Sequence, residues 1–270
     1  MSGEGTVTLI TGAGRGIGRE IAIRLGSAGH RLALTSRTSH ELTETADLIT
    51  EAGGKAIAVT GDVTRPDDVD RVCRTAEDAL GPIEALVNNA GFLGGLDRFL
   101  DADIAAWWRV IEINLRGPVL FLRRVLPSMV EHGRGRVINI NSRAAFETDL
   151  RGAASAYGVS KAALLRLNAA LTAELAGTGV IMIDISPGMV RTAMTAQRPD
   201  ADQLPPEAWT PVSAAAEHIE ALLSGRYDAL NGHFVHVLDD LDDLLQRINA
   251  NPRARILQLA PTHPEDPVTN

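Results

Sequence analysis

The chain has 270 residues, a net charge of −8, 45% hydrophobic and 22% charged residues, which fits one large α/β domain or two small ones with a substantial core. The acidic balance lacks the electrostatic footprint of a nucleic-acid binder, and the single cysteine, Cys73, excludes an internal disulfide and a multi-cysteine metal site. No apolar run reaches the roughly 18 residues of a membrane span, and the opening MSGEGTVTLITGAG carries no leader pattern, so a cytoplasmic protein without membrane partners is expected.

Short β-branched and aliphatic runs alternate with longer helical patterns. TVTLI (6–10) reads as a first strand, followed by a glycine-rich turn and a helix, REIAIRLGSAG, that stops at Gly29. RLALTS (31–36) reads as a second strand, ELTETADLITEAGG as a helix closed by paired glycines, and KAIAVTGDV as a third strand. DDVDRVCRTAEDALG has acids in its first turn, which suits the helix dipole. Strands four to seven are read at IEALVNNAG (83–91), RVININ (136–141), GVIMIDISPG (179–188) and HFVHVL (233–238).

This alternation predicts a Rossmann-like, doubly wound parallel sheet of about seven strands with helices on both faces. Near-continuous apolar strands are what a sheet covered on both sides requires. Without a repeat or linker, one domain over 1–260 is expected; the polar, proline-rich PTHPEDPVTN (261–270) reads as a flexible tail.

TGAGRGIG (11–18) follows the first strand and opens a helix, the context a dinucleotide site needs. Glycines let the backbone turn tightly and approach a pyrophosphate, whose charge a helix N-terminus favours. The spacing is not G-x-G-x-x-G, since Ile17 stands where the third glycine would fall; Gly12, Gly16 and Gly18 fit T-G-x-x-x-G-x-G. Such a turn can also be a plain strand–helix connection, and its place after the first strand favours binding.

The second strand ends in Ser36, Arg37 and Thr38, with no acid before Glu41. An acid there would hold a ribose 2′-hydroxyl and repel a 2′-phosphate. Arg15 and Arg37 suit a 2′-phosphate instead, through charge-assisted bonds, so NADP(H) is expected over NAD(H).

YGVSK (157–161) sets Tyr157 and Lys161 four apart, hence on one helix face. Spacing alone cannot say whether this is a catalytic pair or two packed neighbours, and packed neighbours are the commoner case for an isolated Y-x-x-x-K.

The chain resembles the short-chain dehydrogenase/reductase family, of the short single-domain kind. TGAGRGIG (11–18), GDV (61–63), NNAG (88–91), the Asn of INL (113–115), INS (140–142), YGVSK (157–161) and SPGMVRT (186–192) occur in family order over roughly residues 5 to 195. The resemblance implies a catalytic tetrad of Asn114, Ser142, Tyr157 and Lys161. Added to Arg15, Ser36 and Arg37, already read from their charge and place, it implies a cofactor lining of Gly12, Gly16, Ile17, Gly18, Asp62, Val63, Asn89, Ala90, Gly91, Tyr157, Lys161, Pro187, Gly188 and Thr192.

Within it, Asp62 resembles the acid that bonds adenine and Val63 its neighbour against the ring. Asn89, Ala90 and Gly91 resemble the turn beyond the fourth strand. Pro187 and Gly188 resemble the start of the nicotinamide loop, and Thr192 the residue bonding the carboxamide.

The chemistry explains each residue type. Reduction of a carbonyl leaves an alkoxide that needs a proton, which Tyr157 can supply. A phenol near pKa 10 is a poor base at neutral pH, and an ammonium on Lys161 beside an oxidised nicotinamide favours phenolate. Ser142 can donate a second hydrogen bond to the same oxygen. The family's Asn helps keep a water against the lysine, and the lysine also bonds the nicotinamide ribose.

The expected activity is NADPH-dependent carbonyl reduction. NAD-dependent alcohol oxidation and a cofactor-binding regulator without turnover are the alternatives. Helix patterns from Trp107 to Val130 and from Ser155 to Leu175 resemble the family's pairing helices, so a homodimer or homotetramer is expected.

Departures from the family pattern lie at Arg143, read as pointing outward with contact to an anionic substrate as the alternative, and in the C-terminal third, where DDLDDLLQRI reads as a capped helix with its acids solvated. No metal is expected, because His218, His233, His236 and this acidic run lack ligand spacing. Substrate choice is assigned to residues 93–99, 143–155 and the loop 189–210.

Overall fold

The computed structural model describes residues 5–147, 154–198 and 200–252. Its seven strands are β1 (Val7–Thr11), β2 (Arg31–Thr35), β3 (Lys55–Ala58), β4 (Ala85–Asn88), β5 (Gly135–Ile140), β6 (Val180–Ser186) and β7 (Phe234–His236). They form one parallel sheet in the order β3-β2-β1-β4-β5-β6-β7, the architecture expected from the sequence.

Strand order reverses between β1 and β4, because the chain builds outward to β3 and then returns to the other side of β1. At such a switch point the loops after the two strands diverge and leave a crevice at their C-terminal ends. The glycine turn follows β1 and NNAG follows β4, so both motifs border it.

The helices are α1 (Gly16–Ser27), α2 (Ser39–Glu51), α3 (Pro66–Leu80), α4 (Ile104–Ile111), α5 (Gly117–Glu131), α6 (Ser155–Glu174), α7 (Val212–Leu223) and α8 (Leu241–Ala250). One apolar layer joins Ile10, Leu34 and Ile183 to Ile21, Leu25, Ile219 and Leu244 from α1, α7 and α8. The opposite layer joins Leu9, Leu86 and Met182 to Val72, Phe121 and Val125 from α3 and α5. Both sheet faces are thus covered, which is why alternate residues along each strand are apolar on both sides.

The helix expected from Trp107 to Val130 runs through α4 and α5 but carries a π-helical turn at Glu112–Arg116. α7 was not anticipated; it follows Pro211 and buries Ala215, Ala216, Ile219, Leu222 and Leu223. The acidic stretch does open α8, where the Asp240 side chain accepts from the backbone N–H of Asp242 and Asp243. The proposed tail, 261–270, lies outside the described residues. No helix among the described residues is long and apolar enough to cross a membrane.

Candidate active site

The turn after β1 is built around missing side chains. Gly12 and Gly16 have φ of +66° and +57°, the left-handed region that side chains disfavour. A Cβ on Gly12 would lie 2.9 Å from Ala90 Cα, and one on Gly18 would lie 2.3 Å from the Gly12 carbonyl oxygen. The β1 and β4 turns therefore touch backbone to backbone. Asn89 ties them further, its Nδ2 donating to the carbonyls of Thr11 at 2.8 Å and Gly12 at 3.1 Å. Thr11 Oγ1 accepts from the N–H groups of Asn89 and Ala90.

Arg19, which the sequence did not single out, pins the turn from its other side. Its guanidinium donates to the carbonyls of Gly14 and Glu41 and to Thr45 Oγ1.

At the end of β2, Arg37 is exposed and has no ion pair among the described residues. Arg15 is 67% exposed, with Nη1 3.7 Å from Glu41 Oε1. The first turn of α2 thus returns an acid to a neighbourhood where the β2 sequence has none. Ser36 lies below, its hydroxyl 3.1 Å from where a Gly14 Cβ would stand.

Asp62 is half-buried. Its Oδ1 accepts from Thr64 N–H and Oγ1, and its Oδ2 accepts from Arg109 Nη2 at 3.1 Å. Burial would raise this carboxyl, but the bonds from Thr64 and Arg109 outweigh it and hold the pKa below the ordinary value. Val63 is buried and packs closely against Gly117 of α5.

On the far side of the crevice, α6 carries Tyr157 half-buried and Lys161 buried. The Lys161 Nζ lies 5.6 Å from the Tyr157 ring centroid and donates to the Ile140 carbonyl at 2.7 Å. Ser142, just past β5, is half-buried, and its hydroxyl favours the ionised form of the Tyr157 phenol.

Burial raises the Tyr157 pKa above its ordinary value, against the opposing effect of Ser142. That direction favours the protonated phenol. Burial lowers Lys161 to about 8, and the charge of Asp184 works against that fall.

Asn114 sits in the π turn and is buried. Its Oδ1 accepts from Phe92 N–H at 2.8 Å, and its Nδ2 donates to Phe92 O at 2.9 Å and Ser160 Oγ at 3.0 Å. Ser160 in turn donates to the Tyr157 carbonyl. This side chain clamps the π turn, the loop after β4 and α6 together.

Beyond β6, Pro187 is buried and Gly188 turns at φ +72° against Thr210. Thr210 N–H donates to the Met189 carbonyl at 2.7 Å, and the Arg191 guanidinium stacks 4.1 Å from the Trp209 ring centroid, closing the loop on itself. Thr192 overhangs the glycine turn, its Cγ2 3.4 Å from where a Gly16 Cβ would stand. Arg143 points outward and pairs with Glu147 at 2.6 Å.

The crevice accordingly runs from the bare backbone of Gly12 and Gly16, under Thr192, to Ser142, Tyr157 and Lys161. A dinucleotide fits this chemistry, since a side chain at Gly16 would project into the gap below Thr192. Gly91 lines the same gap, with Met194 and Asn114 as neighbours.

Comparison with known proteins agrees with this geometry. Residues 6–203 match the family described as short chain dehydrogenase. A short chain dehydrogenase of Pseudocercospora fijiensis is 34% identical over 94% of this chain and 86% of its own. The structure of a 3-ketoacyl-ACP reductase from Sinorhizobium meliloti superposes with a TM-score of 0.78 at 30% identity, covering 85% of this chain and 96% of that one. An actinorhodin polyketide ketoreductase variant solved with NADPH superposes at 0.80 and 31% identity, covering 86% and 95%. With the nucleotide-binding turn, the switch-point crevice and matches of this extent in one chain, the protein belongs to the short-chain dehydrogenase/reductase family and is a nicotinamide-dependent oxidoreductase.

Proposed function

We propose that the protein is an NADP(H)-preferring carbonyl reductase in which Tyr157 is the acid. The observation that carries the reading is the convergence of Ser142 on the Tyr157 phenol with the Lys161 ammonium 5.6 Å from the ring. When bound, the nicotinamide supplies the hydride. The protein's own groups do the rest. Tyr157 donates its proton to the carbonyl oxygen as charge develops there, and Ser142 donates a second hydrogen bond that fixes the carbonyl in line. Lys161 holds positive charge beside the phenol, which favours the phenolate left behind. Gly12, Gly16 and Gly18 allow the pyrophosphate close to the start of α1.

The free guanidinium of Arg37 supports a 2′-phosphate, as does the NADPH carried by the polyketide ketoreductase relative. One observation favours the NAD(H) alternative: Glu41 stands beside Arg15 and would repel a 2′-phosphate. A panel of aldehydes and ketones, followed by loss of NADPH or NADH absorbance, tests activity and cofactor together. No turnover of any member with either cofactor would favour a cofactor-binding regulator.

The described residues form one domain in this reading, and the protein works as a homo-oligomer. Ile104 and Trp108 on α4 and Val159 on α6 are about half exposed, which supports a second copy as their cover. Sedimentation showing only monomer at micromolar concentration would refute the oligomer.

A further inference from the structure

The sheet face beneath α6 carries buried polar side chains where an apolar layer is the rule. Asn88, Asn139 and Asp184 stand in register across β4, β5 and β6, each at most 3% exposed. Asn141, two residues beyond Asn139, shares their face, and Asn168 meets it from α6; both are buried.

The amides are oriented. Asn88 Nδ2 donates to Asn139 Oδ1 at 3.0 Å, which leaves the Asn139 amide nitrogen for the β6 side. Asn141 Oδ1 accepts from Ser142 N–H at 2.8 Å, which frees its nitrogen likewise. Asp184 has no hydrogen bond of ordinary length to either oxygen, yet the amides of Asn141, Asn139 and Asn168 all favour its charge. Burial outweighs them and pushes the carboxyl up to about 7.

Lys161 precedes Asn168 by seven residues, two turns along the same face of α6. Its Nζ is anchored to the carbonyl of Ile140, the residue between Asn139 and Asn141. Among the described residues Asp184 is the one charged group acting on Lys161, and the Lys161 ammonium acts on Asp184 in return. The other elements around them present neutral groups: Asn88 from β4, Asn139 and Asn141 from β5, Asn168 from α6 and Phe234 from β7. The Tyr157 phenol lies on Lys161's own helix.

We propose that Asp184 is a positioning residue for the reaction, a buried counter-charge that keeps Lys161 an ammonium and through it sets the ionisation of Tyr157. The inference rests on the reading of Tyr157 and Lys161 as the acid/base pair. A lysine in a dry site loses its proton readily unless an opposite charge faces it. A carboxylate behind the lysine supplies that charge and takes none of the ammonium's donors. One donor is spent on Ile140, and two remain for the crevice.

The chain has two lysines, Lys55 and Lys161, and Lys55 is exposed. Lysine-selective 13C labelling at Cε therefore gives Lys161 as one of two signals, and its titration is read on the full unliganded chain. In Asp184→Asn the Lys161 midpoint is expected to fall by about one pH unit or more, with Lys55 unmoved. Asn168→Leu should move it the same way by less, because Asp184 then ionises at higher pH. The alkaline limb of the pH–rate profile for reduction should shift in parallel. An unmoved Lys161 midpoint in folded Asp184→Asn overturns the proposal. Should that variant not fold, an unmoved midpoint in Asn168→Leu does so. Wild-type turnover by Tyr157→Phe would instead overturn the acid/base reading, and with it the consequence for rate, while a shifted Lys161 midpoint would still stand.

Discussion

Lys161 does not hydrogen-bond Tyr157; its Nζ lies 5.6 Å from the ring centroid and spends a bond on the Ile140 carbonyl. In the proposed reaction it serves as a fixed charge near the phenol, within the roughly 6 Å over which a cation and a ring attract. The side chain that favours phenolate is Ser142, on a different element. The proposed function gives proton transfer and charge placement to separate side chains, so separate substitutions should resolve them.

Tyr157→Phe removes one hydroxyl from a ring whose packing persists. It is expected to keep the fold and nearly all cofactor affinity while lowering kcat by about 10²–10⁴-fold, the usual worth of general acid catalysis. Lys161→Ala should weaken NADPH binding and raise the pH needed for alcohol oxidation. Steady-state kinetics beside a fluorescence titration of NADPH will check the contrast. Near wild-type kcat in Tyr157→Phe would make the residue structural.

The parts of this site legible in the sequence are those carried by local pattern. Strand–helix alternation located all seven strands, and TGAGRGIG and YGVSK stand on the elements expected of them. What the sequence hid depends on long-range contact. KAIAVTGDV looks like a strand to its end, yet β3 stops at Ala58 and Asp62 turns to meet Thr64 and Arg109. The π turn at Asn114 is held by Phe92 and Ser160, neither of them near in sequence. Asp184 sits within the apolar run GVIMIDISPG, and its importance emerges only when β5, β6 and α6 are brought together. Glu41, the first acid after β2, meets Arg15 only because α2 folds its first turn back to the glycine turn.

The cofactor preference can be tested at both charges. NADPH should bind at least tenfold more tightly than NADH, about 1.4 kcal/mol. Ser36→Asp should reverse that order by setting like charge against the 2′-phosphate, and Glu41→Gln should tighten NADPH by freeing Arg15. Equal affinities in the wild type would sink the NADP(H) assignment.

The buried carboxyl of Asp184 gives stability a direction with pH. Its pKa is raised from 3.8 to about 7, so between those values the folded chain holds a proton that the unfolded chain has lost. Stability from this group is full below about pH 4 and declines as pH rises toward 7, by up to about 1.4 kcal/mol per unit. Asp184→Asn lacks the group. The difference in unfolding free energy, wild type minus variant, should therefore fall as pH is raised from 4 to 7. Denaturant melts at several pH values measure it, and a difference that stays flat would contradict the buried, proton-binding carboxyl.

Two glycines of the turn should separate packing from binding. A methyl at Gly18 would stand 2.3 Å from the Gly12 carbonyl oxygen and 2.4 Å from Asn89 Nδ2, so the two turns must part. Gly18→Ala is expected to cost about 1–3 kcal/mol of stability, the usual range for overpacking, and to weaken the cofactor through the displaced backbone. A methyl at Gly16 meets only Thr192 Cγ2, at 3.4 Å, but it carries the strain of φ +57° and projects into the crevice. Gly16→Ala should therefore cost about 1 kcal/mol or slightly more in stability and proportionately more in NADPH affinity. Thermal melts and cofactor titrations on both variants give the comparison. If Gly16→Ala bound NADPH as tightly as the wild type, the cofactor would not pass between Gly16 and Thr192, and the crevice would have to be drawn elsewhere.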